Sequence, residues 1–247
     1  LLTRWLYLKG ADRIVTTGEK LRQTLIEDLQ AEPNRFTSIP TGIDLQRFNA
    51  AKATPKDRAR KKLDLPLNAK IIGIAATLRS WKGHDYLLDA FDQIADRHPE
   101  THLLIVGDGP MRPHLEQRLT QLPSAHRIHM TGHSDEVENA MVAMDIFALP
   151  SYANEGVPQA ILQAMAMSLP VVSTGVGAIE EALINGKTGI KVTPKDTASL
   201  SNALTFLLEH PDEAKSFAIA GRERAEQLFS LDQMVDQMET VFRSAIS

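Results

Sequence analysis

Short apolar segments alternate with amphipathic helices along most of this chain, and the alternation limits its fold more than any other feature. Six segments predict strands: Lys70–Ala76, His102–Val106, Arg127–Thr131, Asp145–Leu149, Pro170–Thr174 and Gly189–Val192. Each is short and nearly all apolar, which is typical of strands covered on both faces of a parallel sheet. Because strands that alternate with helices build doubly wound α/β domains, we predict a six-stranded, parallel, Rossmann-like sheet.

The residues that precede this alternation predict a second, smaller piece of structure. Its elements are a strand at Ala11–Thr17, a helix that ends at about Leu29 and a second strand at Phe36–Ile39. These are too few for an independent core, so we expect residues 1–48 to be the tail of another domain. Polar residues 49–55 predict a linker, and residues 56–228 the Rossmann-like domain.

Residues 229–247 predict a closing helix. Ser230, with Gln233 three residues further on, is a capping box. The helix carries an apolar stripe of Leu231, Met234, Val235, Met238, Val241 and Phe242. A stripe this continuous requires a surface to pack against.

Composition excludes several classes of protein. The chain has 247 residues, of which 43% are hydrophobic and 23% charged, as in ordinary soluble globular proteins. Its net charge of −4 gives no reason to expect nucleic acid as a partner. There is no cysteine, which excludes disulfides and thiol catalysis. No apolar run approaches the ~20 residues that span a bilayer. The chain starts without Met or a secretory signal, so we expect a cytoplasmic fragment of a longer protein.

The stretch Ser151–Pro170 predicts a binding site for an anion. Glu155 and Gly156 lie in a loop after a predicted strand, and Pro158 follows at a predicted first helical position. Proline is favoured there because its φ is preset and its missing N–H has no helical partner to lose. The N-terminus of a helix attracts anions through its N–H groups and its dipole.

Two cations, Arg79 and Lys82, follow the first strand of the predicted Rossmann-like domain. Ligands of doubly wound sheets bind beyond the carboxyl ends of the strands. A guanidinium fork and an ammonium point charge at this position are suited to neutralising a diphosphate. An ordinary solvated loop, with Trp81 as a packing residue, explains the same residues equally well.

Two glycine-containing turns invite a dinucleotide interpretation, which the sequence does not support. Arg112 stands where the turn Gly107–Pro110 would need its third glycine, and Glu180 does so after Gly175–Gly177. Close-packed turns are the favoured explanation.

Three histidines, His126, His129 and His133, are spaced like metal ligands. No carboxylate or cysteine cluster accompanies them, so we expect no metal. His133 is better suited to the wall of a nucleotide pocket.

Residues Lys52–Lys62 contain six basic residues and one acidic residue. They suit a peripheral contact with an anionic membrane surface, which is worth about 1 kcal/mol per charge. A solvated linker and helix face is the favoured explanation.

Glu155 and Gln163 stand eight residues apart across the start of a predicted helix, so we expect both to line one rim of its N-terminus. A carboxylate there accepts hydrogen bonds from sugar hydroxyls, and an amide both donates to and accepts from a ribose. A surface helix with an acidic first turn remains the alternative.

These motifs together resemble glycosyltransferase family 4, the group 1 glycosyltransferases of GT-B fold. ADRIVTTGE and SIPTGIDLQRF are similar to that family's passage out of its N-terminal domain. Successive blocks of the family's C-terminal, donor-binding domain are matched by LLIVGDGP, HMTGH, DIFALPS, EGVPQAILQAMAMSLPVVST and NGKTGIKV.

The resemblance implies retaining transfer of a sugar from a nucleotide sugar, without a metal or another cofactor. Glu155 opens the family's E-x7-E motif and would face the donor sugar, while Gln163 replaces the second Glu and would hold the ribose. Lys82 matches the Lys that holds the diphosphate. The partner Arg usually stands five or six residues earlier, so Arg79 is a substitute. We expect Glu155, Lys82 and Arg79 to be the catalytic residues.

The resemblance also assigns the remaining donor contacts. The N–H groups of Gly156, Val157 and Gln159 would lie near the phosphates, whereas Pro158 has none to donate. Gly132 and His133 would border the base. The acceptor would be a glycan or glycolipid of a bacterial-type surface polysaccharide, made at the cytosolic face of the membrane. The acceptor site and a catalytic His would belong to an N-terminal domain that lies mostly outside this chain. The closing helix would cross back to the surface of that domain.

Two other functions remain open at this point. One is a nucleotide-sugar epimerase or hydrolase, because one fold hosts several chemistries. The other is a module that binds the donor without turnover. The base, the sugar and the oligomeric state are not encoded in these motifs.

Overall fold

The computed structural model describes residues 5, 7 and 9–246. The strands are β1 (Ile14–Thr16), β2 (Phe36–Ser38), β3 (Lys70–Ala75), β4 (Thr101–Val106), β5 (Ile128–Gly132), β6 (Ile146–Leu149), β7 (Val171–Thr174) and β8 (Ile190–Val192). The helices are α1 (Glu19–Leu29), α2 (Lys56–Lys62), α3 (His84–Ala95), α4 (Arg112–Leu119), α5 (Val137–Ala143), α6 (Gln159–Ala166), α7 (Ile179–Ala182), α8 (Thr197–Glu209), α9 (Pro211–Leu228) and α10 (Leu231–Ile246).

Strands β3 to β8 form one parallel sheet in the order β5-β4-β3-β6-β7-β8. The prediction of a six-stranded, doubly wound sheet is confirmed, and each strand lies within one residue of its predicted bounds. Strands β3 and β4 pair in register from Lys70 opposite Thr101 to Ala75 opposite Val106. Every residue of β6 and β7 is buried. Both faces of the sheet are therefore covered, which is why these strands read as continuous apolar runs.

The helices cover the sheet through apolar faces. In α3, Leu87, Leu88, Phe91 and Ile94 recur at helical spacing and are all fully buried. Helix α3 packs against α8, α6 against α9, and α2 against α5. In the described part of the chain, no helix combines the length and apolarity that crossing a bilayer requires.

The smaller piece contains β1, α1 and β2, as the sequence predicts, with β1 and β2 paired in parallel. One of its junctions with the rest of the molecule is at Ile43, which follows β2. Ile43 N–H donates to the Phe229 carbonyl at 2.8 Å, and Leu231 N–H donates to the Ile43 carbonyl at 2.9 Å. The segment that leaves β2 therefore runs beside the turn between α9 and α10.

The closing helix α10 lies within the predicted residues 229–247, but its cap is only half of a capping box. The Ser230 hydroxyl accepts from Gln233 N–H at 3.2 Å, whereas the Gln233 side chain donates to the Gln227 carbonyl. Only part of the apolar stripe is covered: Val241 is buried, while Phe242 is 59% exposed. Residues 1–4, 6, 8 and 247 of the predicted tail and closing helix lie outside the described residues.

The basic stretch is anchored within the fold more than the sequence suggests. Arg60 is buried, and its guanidinium lies 2.7 Å from the Asp145 carboxylate. Lys56 reaches the same carboxylate at 2.6 Å, and Ile71 N–H donates to it at 2.7 Å. The expectation of a solvated helix face is therefore wrong for Arg60, because α2 turns this side chain inward toward the start of β6.

Asp145→Asn should lower the free energy of unfolding by about 2 kcal/mol, because the carboxylate holds a buried guanidinium and a backbone N–H. Denaturant unfolding measures the loss. Lys61→Ala is the control, because Lys61 is exposed and lies on α2, the helix that carries Arg60. The stability of this variant should stay within about 0.5 kcal/mol of that of the unchanged chain. Equal stability of the two variants would contradict the assignment.

Candidate functional site

The candidate site lies at the carboxyl edge of the sheet, where the strand order reverses. The chain proceeds outward from β3 through β4 to β5, and then returns to β6 on the other side of β3. In a doubly wound sheet, ligands bind beyond the carboxyl ends of the strands at such a switch point. A cavity of 190 Å³ at this edge is lined by Ala75, Ala76, Thr77, Val106, Gly107, Asp108, His133, Ser134, Val137 and Gln163.

An ion pair between Lys82 and Glu155 joins the loops after β3 and β6. Lys82 Nζ lies 2.6 Å from Glu155 Oε1, and the Ser151 hydroxyl donates to the same oxygen at 2.6 Å. Only 5% of the Glu155 side chain and 20% of the Lys82 side chain are exposed. Because both charges are largely withdrawn from water, their attraction is screened less than that of a surface pair.

Gly83 brings Lys82 to the end of β6. The short 3-10 turn that carries Lys82 ends at Gly83, whose φ is +79°. A Cβ atom at this position would lie 2.1 Å from the Pro150 carbonyl oxygen. The Trp81 carbonyl also accepts from Tyr152 N–H at 2.8 Å. Glycine is required here, since any side chain would push the two loops apart.

His84 follows this glycine, two residues after Lys82, and its ring is buried. Burial lowers the pKa of His84 to about 4. The ring is therefore neutral at physiological pH and adds no positive charge beside Lys82. The unfolded chain takes up this proton near pH 6.5, so His84 lowers the stability of the fold as the pH falls from there toward 4.

Helix α6 begins one residue later than predicted. Pro158 is its N-cap and not its first helical residue, so the predicted position of this proline is wrong. The Pro158 carbonyl accepts from Ile161 N–H at 3.1 Å and from Leu162 N–H at 3.3 Å, as the carbonyl of an N-cap does. The ψ of Pro158 is 125°, which is extended and not helical. Its φ of −68° is common to both positions. The N-terminal N–H groups of α6 are therefore those of Gln159 and the residues after it.

The other predicted donor contacts around this helix have different surroundings. Gly156 is exposed, whereas Val157 is buried in the core. The Gln159 side chain donates to the Thr41 carbonyl at 3.4 Å, so its amide contacts the segment between β2 and α2.

Gln163 and His133 lie together on the wall of the 190 Å³ cavity. Gln163 projects from α6, and His133 follows β5 directly after Gly132, whose φ is +79°. The His133 ring is 74% exposed and lies 3.1 Å from Asp135. Of the two residues that their eight-residue spacing placed on one rim, only Gln163 therefore lines this cavity. Glu155 belongs to the neighbouring ion pair.

Arg79 does not join the ion pair. Its guanidinium carbon lies 5.2 Å from the centre of the Trp81 ring, and the side chain is exposed. The Arg79 carbonyl accepts from Lys82 N–H at 3.0 Å, which closes the 3-10 turn. The structure thus brings Lys82 to Glu155, while the Arg79 guanidinium stacks on an aromatic ring.

Sequence reasoning missed three polar residues at this edge. Ser151 braces Glu155, Asp108 lines the cavity, and the Arg112 guanidinium lies 3.3 Å from Asp108. In the sequence, Arg112 stands out only as the residue that replaces a fingerprint glycine. Asp108 lies in the loop before α4, which begins at Arg112, so helical spacing does not predict this pair.

The turn at Gly107 is close-packed, which confirms the favoured explanation of this motif. Its φ is +141°, and a Cβ atom there would lie 2.0 Å from the Ala76 carbonyl oxygen. The glycine lets the loop after β4 approach the loop after β3 and line the cavity.

The three spaced histidines have separate surroundings. His126 Nδ1 lies 3.2 Å from the Pro123 carbonyl, and His129 Nε2 lies 3.0 Å from His102 Nδ1. Over residues 5, 7 and 9–246, no three His, Cys, Asp or Glu side chains gather as a metal-binding group.

Comparison with known families identifies this architecture. Residues 69–210, more than half of the chain, match the family described as "Glycosyl transferases group 1". The chain therefore belongs to the group 1 glycosyl transferase family, as the resemblance of its motifs predicts.

Two curated relatives illustrate the match. The D-inositol 3-phosphate glycosyltransferase of Corynebacterium urealyticum is 27% identical over 95% of this chain and 57% of that protein. The GDP-mannose-dependent monoacylated alpha-(1-6)-phosphatidylinositol monomannoside mannosyltransferase of Corynebacterium glutamicum is 29% identical over 85% of this chain and 56% of that protein. The chain thus spans a little over half the length of these relatives.

A solved structure confirms the fold. Anabaena HepE, in complex with UDP-glucose, superposes with a TM-score of 0.89 at 23% identity, covering 98% of this chain and 66% of that one. The sheet described above is the Rossmann-like, C-terminal half of a GT-B fold, joined to a remnant of the N-terminal half.

Gly83→Ala should lower the free energy of unfolding by about 3 kcal/mol, through a left-handed φ and a clash with the Pro150 carbonyl. Gly186→Ala is the matched control, because Gly186 has a φ of +69° but no atom within 4 Å of its missing Cβ. That change should cost only about 1 kcal/mol. Denaturant unfolding compares them, and equal losses would show that the two loops do not need this approach.

Proposed function

We propose that this chain is the donor-binding part of a retaining glycosyltransferase, which moves a sugar from a nucleoside diphosphate sugar to a glycan or glycolipid acceptor. The observation that carries the proposal is the partly buried Lys82–Glu155 ion pair at the switch point of the sheet. A lysine and a helix N-terminus attract a diphosphate, and a carboxylate accepts from sugar hydroxyls. Family membership and the GDP-mannose in the name of one relative support this function.

Lys82 stabilises the leaving diphosphate in the proposed reaction. Breaking the bond between sugar and phosphate develops negative charge on the phosphate oxygens, and a preorganised cation lowers the barrier. Without donor, this ammonium pairs with the Glu155 carboxylate. The N-terminus of α6 adds its partial positive charge. Arg79 contributes to the same role once its guanidinium leaves the Trp81 ring.

Glu155 recognises the sugar with the oxygen that the ion pair leaves available. Oε1 already accepts from Lys82 and Ser151. Among the described residues, no hydrogen bond engages Oε2, so this oxygen is directed to a sugar hydroxyl. Sugar recognition and charge stabilisation are thereby coupled through one carboxylate.

The nucleoside occupies the 190 Å³ cavity beside this pair. Gln163 holds the ribose hydroxyls, since its amide both donates and accepts. Gly132 and His133 border the base. The position of Gln163 and His133 on one cavity wall supports this arrangement.

The proposed transfer needs no metal and takes place at the cytosolic face of a membrane, in the synthesis of a bacterial-type surface polysaccharide or glycolipid. Lys82 and the α6 N-terminus supply the positive charge that a metal provides elsewhere. The exposed Arg58 and Lys61 on α2 suit a peripheral contact with anionic lipid. In this proposal the acceptor site lies outside the Rossmann-like domain.

Calorimetric titration of the 247-residue chain with UDP, GDP and ADP tests the donor site. One of the three should bind, and Lys82→Met should weaken its binding by about tenfold or more, equivalent to about 1.4 kcal/mol. Lys61→Met removes an exposed lysine outside the site and should leave the affinity unchanged. No binding by any nucleotide, or equal effects of the two lysine changes, would contradict the proposal.

Glu155→Gln separates the two parts of the donor. The variant should bind the nucleoside diphosphate at least as tightly, because the Lys82 ammonium loses its competing carboxylate. It should bind the matching sugar nucleotide no more tightly than the diphosphate.

A second experiment incubates the unchanged chain with a sugar nucleotide and no acceptor. Release of free or epimerised sugar would identify a hydrolase or an epimerase instead of a transferase.

A further inference from the structure

A carboxylate of the Rossmann-like domain caps the helix of the smaller piece. Glu181, in α7, accepts from Glu19 N–H at 2.9 Å and from Lys20 N–H at 3.0 Å, one bond to each carboxylate oxygen. These are the first two residues of α1, whose N-cap is Gly18 and carries no side chain of its own. The first N–H groups of a helix have no partner within it. Glu181 supplies that partner from 162 residues further along the chain.

Gly18 makes this approach possible. A Cβ atom at Gly18 would lie 3.0 Å from Ala178 Cβ and 3.0 Å from Glu181 Oε1. The absence of a side chain therefore lets α7 lie against the start of α1. The cap is built into the fit between the two pieces and is not a chance contact of a long side chain.

The segment that carries Glu181 also contacts Glu155. Gly177 has a φ of +62°, and a Cβ atom there would lie 1.8 Å from the Glu155 carbonyl oxygen. Ala178 N–H donates to the same carbonyl at 3.3 Å. Residues 177–181 thus lie against the sugar-facing residue at one end and against α1 at the other.

Helix α9 supports this segment from behind. The Arg224 guanidinium donates to the Glu181 carbonyl at 2.6 Å and to the Ala182 carbonyl at 2.9 Å. These bonds fix the backbone at Glu181, so one anchored segment both caps α1 and holds the Glu155 carbonyl. Gly156 also lies near the smaller piece, since a Cβ atom there would be 3.4 Å from the Thr17 hydroxyl.

We propose that Glu181 is a positioning residue, which couples the seating of α1 to the placement of Glu155. The inference rests on the proposed function, in which Glu155 holds the donor sugar. When the smaller piece is seated, Glu181 caps α1, and residues 177–181 hold the Glu155 carbonyl. When it moves away, the cap is lost and the sugar-facing loop loses this support. The chain then binds the diphosphate but discriminates less in favour of its sugar.

Hydrogen exchange of the 247-residue chain tests the cap directly. The Glu19 and Lys20 amides depend on Glu181 for protection, so Glu181→Ala should expose both to exchange. Glu180→Ala is the matched control, because Glu180 belongs to the same short helix but pairs with Lys191. Unchanged protection in Glu181→Ala, or equal loss in Glu180→Ala, would overturn the proposal.

Calorimetry tests the coupling to the site. The probes are UDP, GDP and ADP, followed by UDP-glucose, GDP-mannose and ADP-glucose. For the matching pair, Glu181→Ala should weaken the sugar nucleotide about fivefold, equivalent to about 1 kcal/mol, and the diphosphate less than twofold. Glu181→Gln, which keeps one accepting oxygen, should recover part of the difference. A merely structural role would weaken both ligands equally.

Different results would contradict the coupling and the proposed function. Binding by the unchanged chain, with the same ratio of affinities in Glu181→Ala, would overturn the coupling and leave the proposed function standing. Absence of binding by every nucleotide to the unchanged chain would overturn both.

Discussion

The contact between Lys82 and Glu155 joins two loops that are 73 residues apart in sequence, and the candidate site depends on it. The loops meet because β3 and β6 are neighbours at the point where the strand order reverses. Gly83 completes the approach, since only a residue without a side chain fits against the Pro150 carbonyl. The ion pair is therefore a consequence of the sheet topology and of one backbone conformation.

Glu155 is held through its side chain and its backbone. Its carboxylate accepts from Lys82 and Ser151, and its carbonyl accepts from Ala178 N–H. A carboxylate that is kept in one position before the ligand arrives loses little freedom on binding. The second of these supports continues through residues 177–181 to the Glu181 cap on α1, so the contacts that hold Glu155 extend to the smaller piece.

The six strands of the parallel sheet could be predicted to within one residue, because burial on both faces makes most of them apolar. Pro158 was misplaced because its preset φ suits both an N-cap and a first helical residue. Arg60 lies in a run of charges that predicts solvent exposure, but its partner Asp145 is distant in sequence. Ser151 and Glu181 were missed for the same reason: a hydroxyl and a carboxylate acquire these roles only from tertiary contacts.

In the proposed function, the Lys82–Glu155 pair receives the diphosphate and the sugar of a nucleotide sugar. A crystal structure of this chain with its sugar nucleotide would show whether it does. We expect phosphate oxygens about 2.7–2.9 Å from Lys82 Nζ, a sugar hydroxyl on Glu155 and the ribose at Gln163. A nucleotide seated instead in the basic 630 Å³ groove between α2 and α5 would contradict it.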